Sequence, residues 1–177
     1  SPVVSTTNTL DGSSFSRGDT VACTATPEDG DTTGASVTSA TATVQNSVPS
    51  IGTVTLSNLT PVEGDTLLVS YTGVTDDDGD TVSYQYTWYV NGTPVAYTTE
   101  LSSSSFSKGQ SIYVEVTPFD GLDNGIPVAS NTATVQNTLP VLSAVTLSPD
   151  PVALSGTLTC SPGGWIREMV GGELAFE

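Results

Sequence analysis

Hydrophobic and polar positions alternate with period two along much of this chain. The most regular stretch sets Val82, Tyr84, Tyr86, Trp88 and Val90 against Ser83, Gln85, Thr87 and Tyr89. That alternation puts the apolar set on one face of an extended segment and predicts a central β-strand over 82–90. Leu67 and Val69 before it, and Ile112, Val114 and Val116 after it, alternate in the same way. They predict neighbouring strands, with Val69, Trp88 and Val114 in one core. Shorter strands are predicted at 53–56, 96–97, 101–103 and 128–136. Turn signals separate them at Glu63-Gly64-Asp65, Asp78-Gly79-Asp80, Asn91-Gly92, Lys108-Gly109 and Asp120-Gly121. About seven short strands punctuated in this way predict an all-β sandwich. No helix is predicted, and only 165–170 is ambiguous.

The pattern also repeats. Residues 15–57 realign on 106–148 without a gap at an offset of 91, with 21 identities in 43 positions. The longest identical run is Thr41-Ala42-Thr43-Val44-Gln45-Asn46 against Thr132-Ala133-Thr134-Val135-Gln136-Asn137. Self-similarity at a fixed spacing is the signature of a modular array. Ser1 falls opposite Gly92, in mid-module, and the pattern is lost at about Gly163. The expected organisation is therefore the later half of one module over 1–47, a complete module over 48–137, and the earlier half of a third over 138–177 with a divergent tail from about 163.

Composition changes this picture by excluding functions. Three Lys/Arg against 19 Asp/Glu give a net charge of −16. Such a chain is repelled by nucleic-acid phosphates and anionic lipid, and attracts divalent cations, so no nucleic-acid partner is expected. No apolar run approaches the roughly 20 residues of a membrane-spanning helix. The absence of histidine removes Ser/His/Asp and Cys/His nucleophilic sites and the commonest metal ligand.

Several segments together carry a family likeness: Val54-Thr55-Leu56-Ser57, Asp76-Asp77-Asp78-Gly79-Asp80, Tyr86-Thr87-Trp88-Tyr89-Val90-Asn91-Gly92, Phe106-Ser107-Lys108-Gly109 and Val116-Thr117-Pro118-Phe119-Asp120-Gly121. In order and spacing the chain resembles the tandem immunoglobulin-like (cadherin-like or PKD-like) repeats of large bacterial surface and secreted proteins. The resemblance runs to about Ser161. It implies an extracellular sandwich serving as stalk, spacer or adhesive surface, and no catalytic activity.

Read in register, Cys23 aligns with Val114 and Cys160 with Val69. In the immunoglobulin pattern those are the places of the inter-sheet disulfide beside a core tryptophan. Neither cysteine has a partner within its own half-module. A disulfide needs Cα atoms within about 7 Å, so an intrachain bridge across a whole module is not expected. Two readings stay open: each partner lies in further repeats of a longer chain, or Cys160 of one chain meets Cys23 of the next in a head-to-tail filament. In the second arrangement 172–176 supplies the strand that 82–90 supplies in the middle module, with Trp165 in the place of Trp88.

The acidic turns are the remaining chemistry. Asp76, Asp78 and Asp80 alternate, and in an extended loop their carboxylates can converge on one hard cation, for which calcium is the natural candidate. Asp120 and Asp123 form a second acidic turn, echoing Asp29-Gly30 and Asp31. The competing reading is solvated turns, where Asp and Gly are favoured for local hydrogen bonding. Outward-facing Tyr89, Tyr97 and Tyr113 give a rival function, a carbohydrate- or cell-surface-binding module.

Overall fold

The computed structural model describes residues 3–139, 141, 143–148, 150, 151 and 153–163. The ambiguous segment 165–170, Trp165 and the expected strand 172–176 lie outside the described residues. The chain forms two units, Ser1–Gln136 and Asn137–Glu177. The first begins with four short strands, β1 (Thr20–Val21), β2 (Thr24–Ala25), β3 (Val37–Thr38) and β4 (Ala42–Thr43). It continues through β5 (Thr53–Leu56), β6 (Leu67–Thr72), β7 (Ser83–Val90), β8 (Thr93–Ala96), β9 (Glu100–Leu101), β10 (Ser111–Phe119), β11 (Val128–Ala129) and β12 (Ala133–Thr134). The second unit carries β13 (Ala144–Ser148) and β14 (Thr159–Gly163). Two single 3-10 turns, Gly12–Ser14 and Ser103–Ser105, are the helical content of the described residues. The protein is all-β and sandwich-like.

Residues 48–137 form two sheets around one core. Strands β5, β6 and β9 make the first, and β11, β10, β7 and β8, with β12 also on β10, make the second. The central pair β7–β10 runs antiparallel from Ile112 opposite Val90 to Phe119 opposite Ser83. Period-two alternation sends Ile112, Val114 and Val116 inward with Trp88 and Val90, against Val54, Leu56 and Leu67 of the other sheet. Val69 packs on this cluster from the side. The β7–β8 hairpin closes through Asn91 (φ 49°) and Gly92 (φ 76°), the two left-handed positions that an Asn-Gly turn requires.

One expected strand is divided. The segment predicted as a single strand over 128–136 becomes β11 and β12. At the break, Ser130 Oγ accepts from Val114 N–H at 3.1 Å and donates to Asn131 O at 2.8 Å. A side chain replaces a backbone partner there, so the ladder stops although both pieces stay on β10. The edge elements also shift: the strand expected at 96–97 is observed at Thr93–Ala96, and that at 101–103 ends at Leu101, before a 3-10 turn.

Among the described residues, the terminal segments repeat these pairings with their apolar positions less buried. Thr20 pairs with Thr43 and Val21 with Ala42, whereas Ser111 pairs with Thr134 and Ile112 with Ala133. Thr24 pairs with Thr38, whereas Glu115 pairs with Ala129. Leu56 sits opposite Val69, and Leu147 opposite Cys160. Burial separates them: Val54 is 5% and Leu56 8% exposed, but their sequence counterparts Val145 and Leu147 are 59% and 49% exposed. Ile112, Val114, Val116 and Ala133 are fully buried, whereas Val21 is half-buried and Cys23, Ala25 and Ala42 are exposed.

A carboxylate-lined joint as the candidate functional site

Inside the first unit, the segment before Val48 meets the β5–β12 sheets at a polar joint formed where the chain crosses from Asn46 to Pro49. Its floor is the loop after β6. Asp76 Oδ1 accepts from the N–H groups of Asp78 (3.0 Å) and Asp80 (3.1 Å), and Gly79 N–H donates to Asp76 O at 3.2 Å. One carboxylate turns the loop back on itself, as short acidic side chains do in turns. The other oxygen, Asp76 Oδ2, is buried and has no hydrogen-bond partner.

The loop geometry brings together three of the five expected ligands. One carboxylate oxygen each from Asp76, Asp78 and Asp80 lies within 4.8 Å of the others, and all three residues are half-buried. Two oxygens bound to one calcium ion at about 2.4 Å are at most about 4.8 Å apart, so the set fits a shared cation. An unpartnered buried carboxylate oxygen is costly and is relieved by such an ion. Asp120 and Asp123 stand on the other side of Asn46 and belong to a separate group. Asn46 Nδ2 donates to Asp120 Oδ2 at 2.8 Å and to Asp123 Oδ2 at 3.0 Å.

Three residues from the preceding segment complete the joint. Arg17 Nη1 donates to Asn46 Oδ1 at 2.7 Å, and the guanidinium pairs with Asp80. Ser47 N–H donates to Asp78 Oδ2 at 2.7 Å. Pro49 is buried, and its carbonyl oxygen lies only 1.9 Å from where a Cβ on Gly125 would stand, so any side chain at 125 would drive the joint apart. Arg17, Asn46 and Ser47 were not legible as site residues. The one hint was that Asn46 closes the longest repeated run.

Hydrogen bonding favours the charged form of one carboxylate in each of the two matching turns. Asn46, then the Asp123 and Leu122 N–H groups, hold Asp120 below the ordinary carboxylate range against a smaller effect of burial. Asp29, its counterpart, is held low by the N–H groups of Thr32 and Asp31. A general acid needs the opposite displacement.

The remaining candidates lie elsewhere. Cys23 and Cys160 are both free and exposed. Tyr89 and Tyr113 stack at 4.6 Å with 9° between their rings, and Tyr89 Oη donates to Glu115 Oε2 at 3.0 Å. Tyr97 is 72% exposed. A separate cleft of about 360 Å³ is lined by Ala96, Thr98, Thr99, Glu100, Leu101, Ser102 and Ser105, without Tyr97. No helix among the described residues is long and apolar enough to cross a membrane. No protein-family model and no curated protein matches the chain. Fold and site together define a sandwich-like all-β protein with a carboxylate-lined joint between successive segments.

Proposed function

We propose that this is a non-enzymatic extracellular structural protein built of immunoglobulin-like modules with a 91-residue period. It serves as a segment of a surface or stalk array, or as the subunit of a head-to-tail filament. One observation carries the reading: the strand pairings recur at the sequence offset. Shifting Thr20–Thr43, Thr24–Thr38 and Leu56–Val69 by 91 gives Ser111–Thr134, Glu115–Ala129 and Leu147–Cys160, each an observed pair. The hydrogen bonds follow, since Ser39 N–H donates to Cys23 O and Ser130 N–H to Val114 O, both at 2.8 Å. Each terminal segment is thus the matching half of a module whose other half closes its core.

Calcium belongs to this reading as the ion of the joint, held by Asp76, Asp78 and Asp80, with Asp120 and Asp123 adding field from across Asn46. Its part is mechanical: it relieves repulsion among acids and fixes the angle between consecutive modules. The lowered carboxyl of Asp120 and the absence of histidine support a role without acid–base chemistry. A second reading, a carbohydrate-binding module, is favoured by the 72% exposure of the Tyr97 ring; retention on immobilised polysaccharide, lost in Tyr97→Ala, is its test.

The structural reading is tested by supplying the missing half in cis. A chain carrying a second copy of residues 48–91 ahead of Ser1 completes the first module. Amide hydrogen exchange at residues 20–44 is then expected to slow by at least tenfold. Unchanged exchange there would defeat the modular reading.

A further inference from the structure

Resting on the calcium reading of the joint, we infer that Arg17 is a tethered counter-ion that stands in for calcium on the acid loop, and that the guanidinium and the free ion compete for Asp80. The fold presents Arg17 to the loop from a fixed base. Arg17 is the second residue of a turn closed by Asp19 N–H on Ser16 O at 3.0 Å and by Ser16 N–H on Asp19 Oδ2 at 2.8 Å. Gly18 (φ 85°) supplies the left-handed third position that such a turn requires. Gly18 N–H donates to Val44 O at 3.0 Å, and Val44 N–H to Asp19 O at 2.9 Å. The turn is thus fastened to the chain just before Asn46, and its arginine reaches an aspartate 63 residues away in sequence.

Both oxygens of Asp80 are engaged by this one side chain. Nη1 donates to Asp80 Oδ2 and Nη2 to Asp80 Oδ1 at 3.4 Å, while Nη1 also donates to Asn46 Oδ1 at 2.7 Å. The Asp80 hydrogen bond raises Arg17 above its ordinary pKa against the effect of burial, and the charges of Asp80, Asp78 and Asp120 add to it. Arg17 is a permanent positive charge among these acids.

One guanidinium does not satisfy the loop. Asp76 Oδ2 stays buried without a hydrogen-bond partner, beside carboxylates whose oxygens lie within 4.8 Å of one another. That orphaned oxygen is what points to a second cation. An ion that takes Asp76, Asp78 and Asp80 as ligands must share Asp80 with Arg17 and stand close to a like charge. Repulsion between charges of +2 and +1 about 6 Å apart lowers affinity about tenfold at the dielectric of bulk water, and by more in a half-buried site.

The Arg17 side chain is 35% exposed, so it has water to turn into when the ion arrives. Asn46 on Asp120 and Asp123, and Ser47 N–H on Asp78, keep the preceding segment on the joint in either state. Such coupling is reciprocal: the ion weakens the Arg17–Asp80 pair by the same factor by which the pair weakens the ion. Arg17 therefore holds the joint when calcium is scarce and yields Asp80 when calcium is plentiful.

The test is calorimetric titration of calcium chloride into the full chain, stripped of metal and held at constant ionic strength. Arg17→Gln removes the charge but keeps an amide donor for Asn46, and should bind calcium about tenfold more tightly than the natural chain. Arg17→Lys keeps the charge and should bind much as the natural chain does. Equal affinity in the natural and Arg17→Gln chains, or weaker binding in Arg17→Gln, would overturn the inference and leave the calcium site standing. No binding by either chain, checked by equilibrium dialysis, would defeat the calcium reading and the inference with it. Asp76→Asn should abolish binding in the Arg17→Gln background; binding that survives there places the ion elsewhere and overturns the competition. A second readout follows the guanidinium itself in the natural chain. The chain has two arginines, Arg17 and Arg167, so the Arg17 side-chain NMR signals are assigned by their loss in Arg17→Lys. Saturating calcium should move them towards those of free arginine; signals that stay in place at saturation would mean that ion and guanidinium do not compete.

Discussion

Calcium should stabilise the first unit by a predictable amount. The ligand set is short, three half-buried carboxylates from one loop, with Arg17 already paired to Asp80. That places the site in the weak extracellular class, with Kd of about 10⁻⁴–10⁻³ M. At about 2 mM free calcium the ratio of ligand to Kd is about 2–20, and binding to the native state alone contributes about 0.6–1.8 kcal/mol. For a unit spanning Ser1–Gln136, each kcal/mol moves Tm by roughly 3–6 °C. The expected rise is therefore about 2–10 °C between chelator and calcium, read by calorimetry. Asp76→Asn is the control. Its amide oxygen still accepts the Asp78 and Asp80 N–H groups that hold the loop, but the buried anionic oxygen is gone, so the calcium response should vanish with the fold retained. Identical melts with calcium and chelator, or an undiminished shift in Asp76→Asn, would refute the reasoning.

Three further outcomes follow from the core and the titrating groups. Trp88 is fully buried and its Nε1 donates to Thr98 O at 2.8 Å; Trp88→Ala should cost about 3–5 kcal/mol in urea unfolding of the unit that holds it. Asp120 is held low in the folded state, so its contribution is present above the unfolded carboxylate pKa and lost as pH falls through the folded value. Asn46→Ala, removing the largest cause, should flatten that acid limb in a pH series of melts. Burial first, and then Tyr86, raise Tyr71 from 10.0 to about 12. That stability is present below about pH 10 and lost as pH rises towards 12, and Tyr71→Phe should remove this alkaline loss.

The parts of the fold legible in the sequence are those where side-chain burial and backbone pairing agree. Strands β7 and β10 alternate strictly because one face of each lies on the core, and periodicity reports that directly. The break at Ser130 was hidden because a hydroxyl there takes over the work of a backbone group, which leaves the alternation pattern intact. Three carboxylates of the site were legible because Asp76, Asp78 and Asp80 lie in one local loop. The joint was not, because Arg17 and Asp80 are far apart in sequence and meet only when the chain folds. Asp120 and Asp123 were read as a second acidic turn, and the Asn46 amide donates to both of them while its oxygen accepts from Arg17, the partner of Asp80.

The most direct test of the modular account is electron microscopy of the native protein. Rods or filaments with a regular repeat along their length, one bead for each 91 residues, are predicted. Discrete compact monomers, retained on polysaccharide through Tyr97, would contradict it.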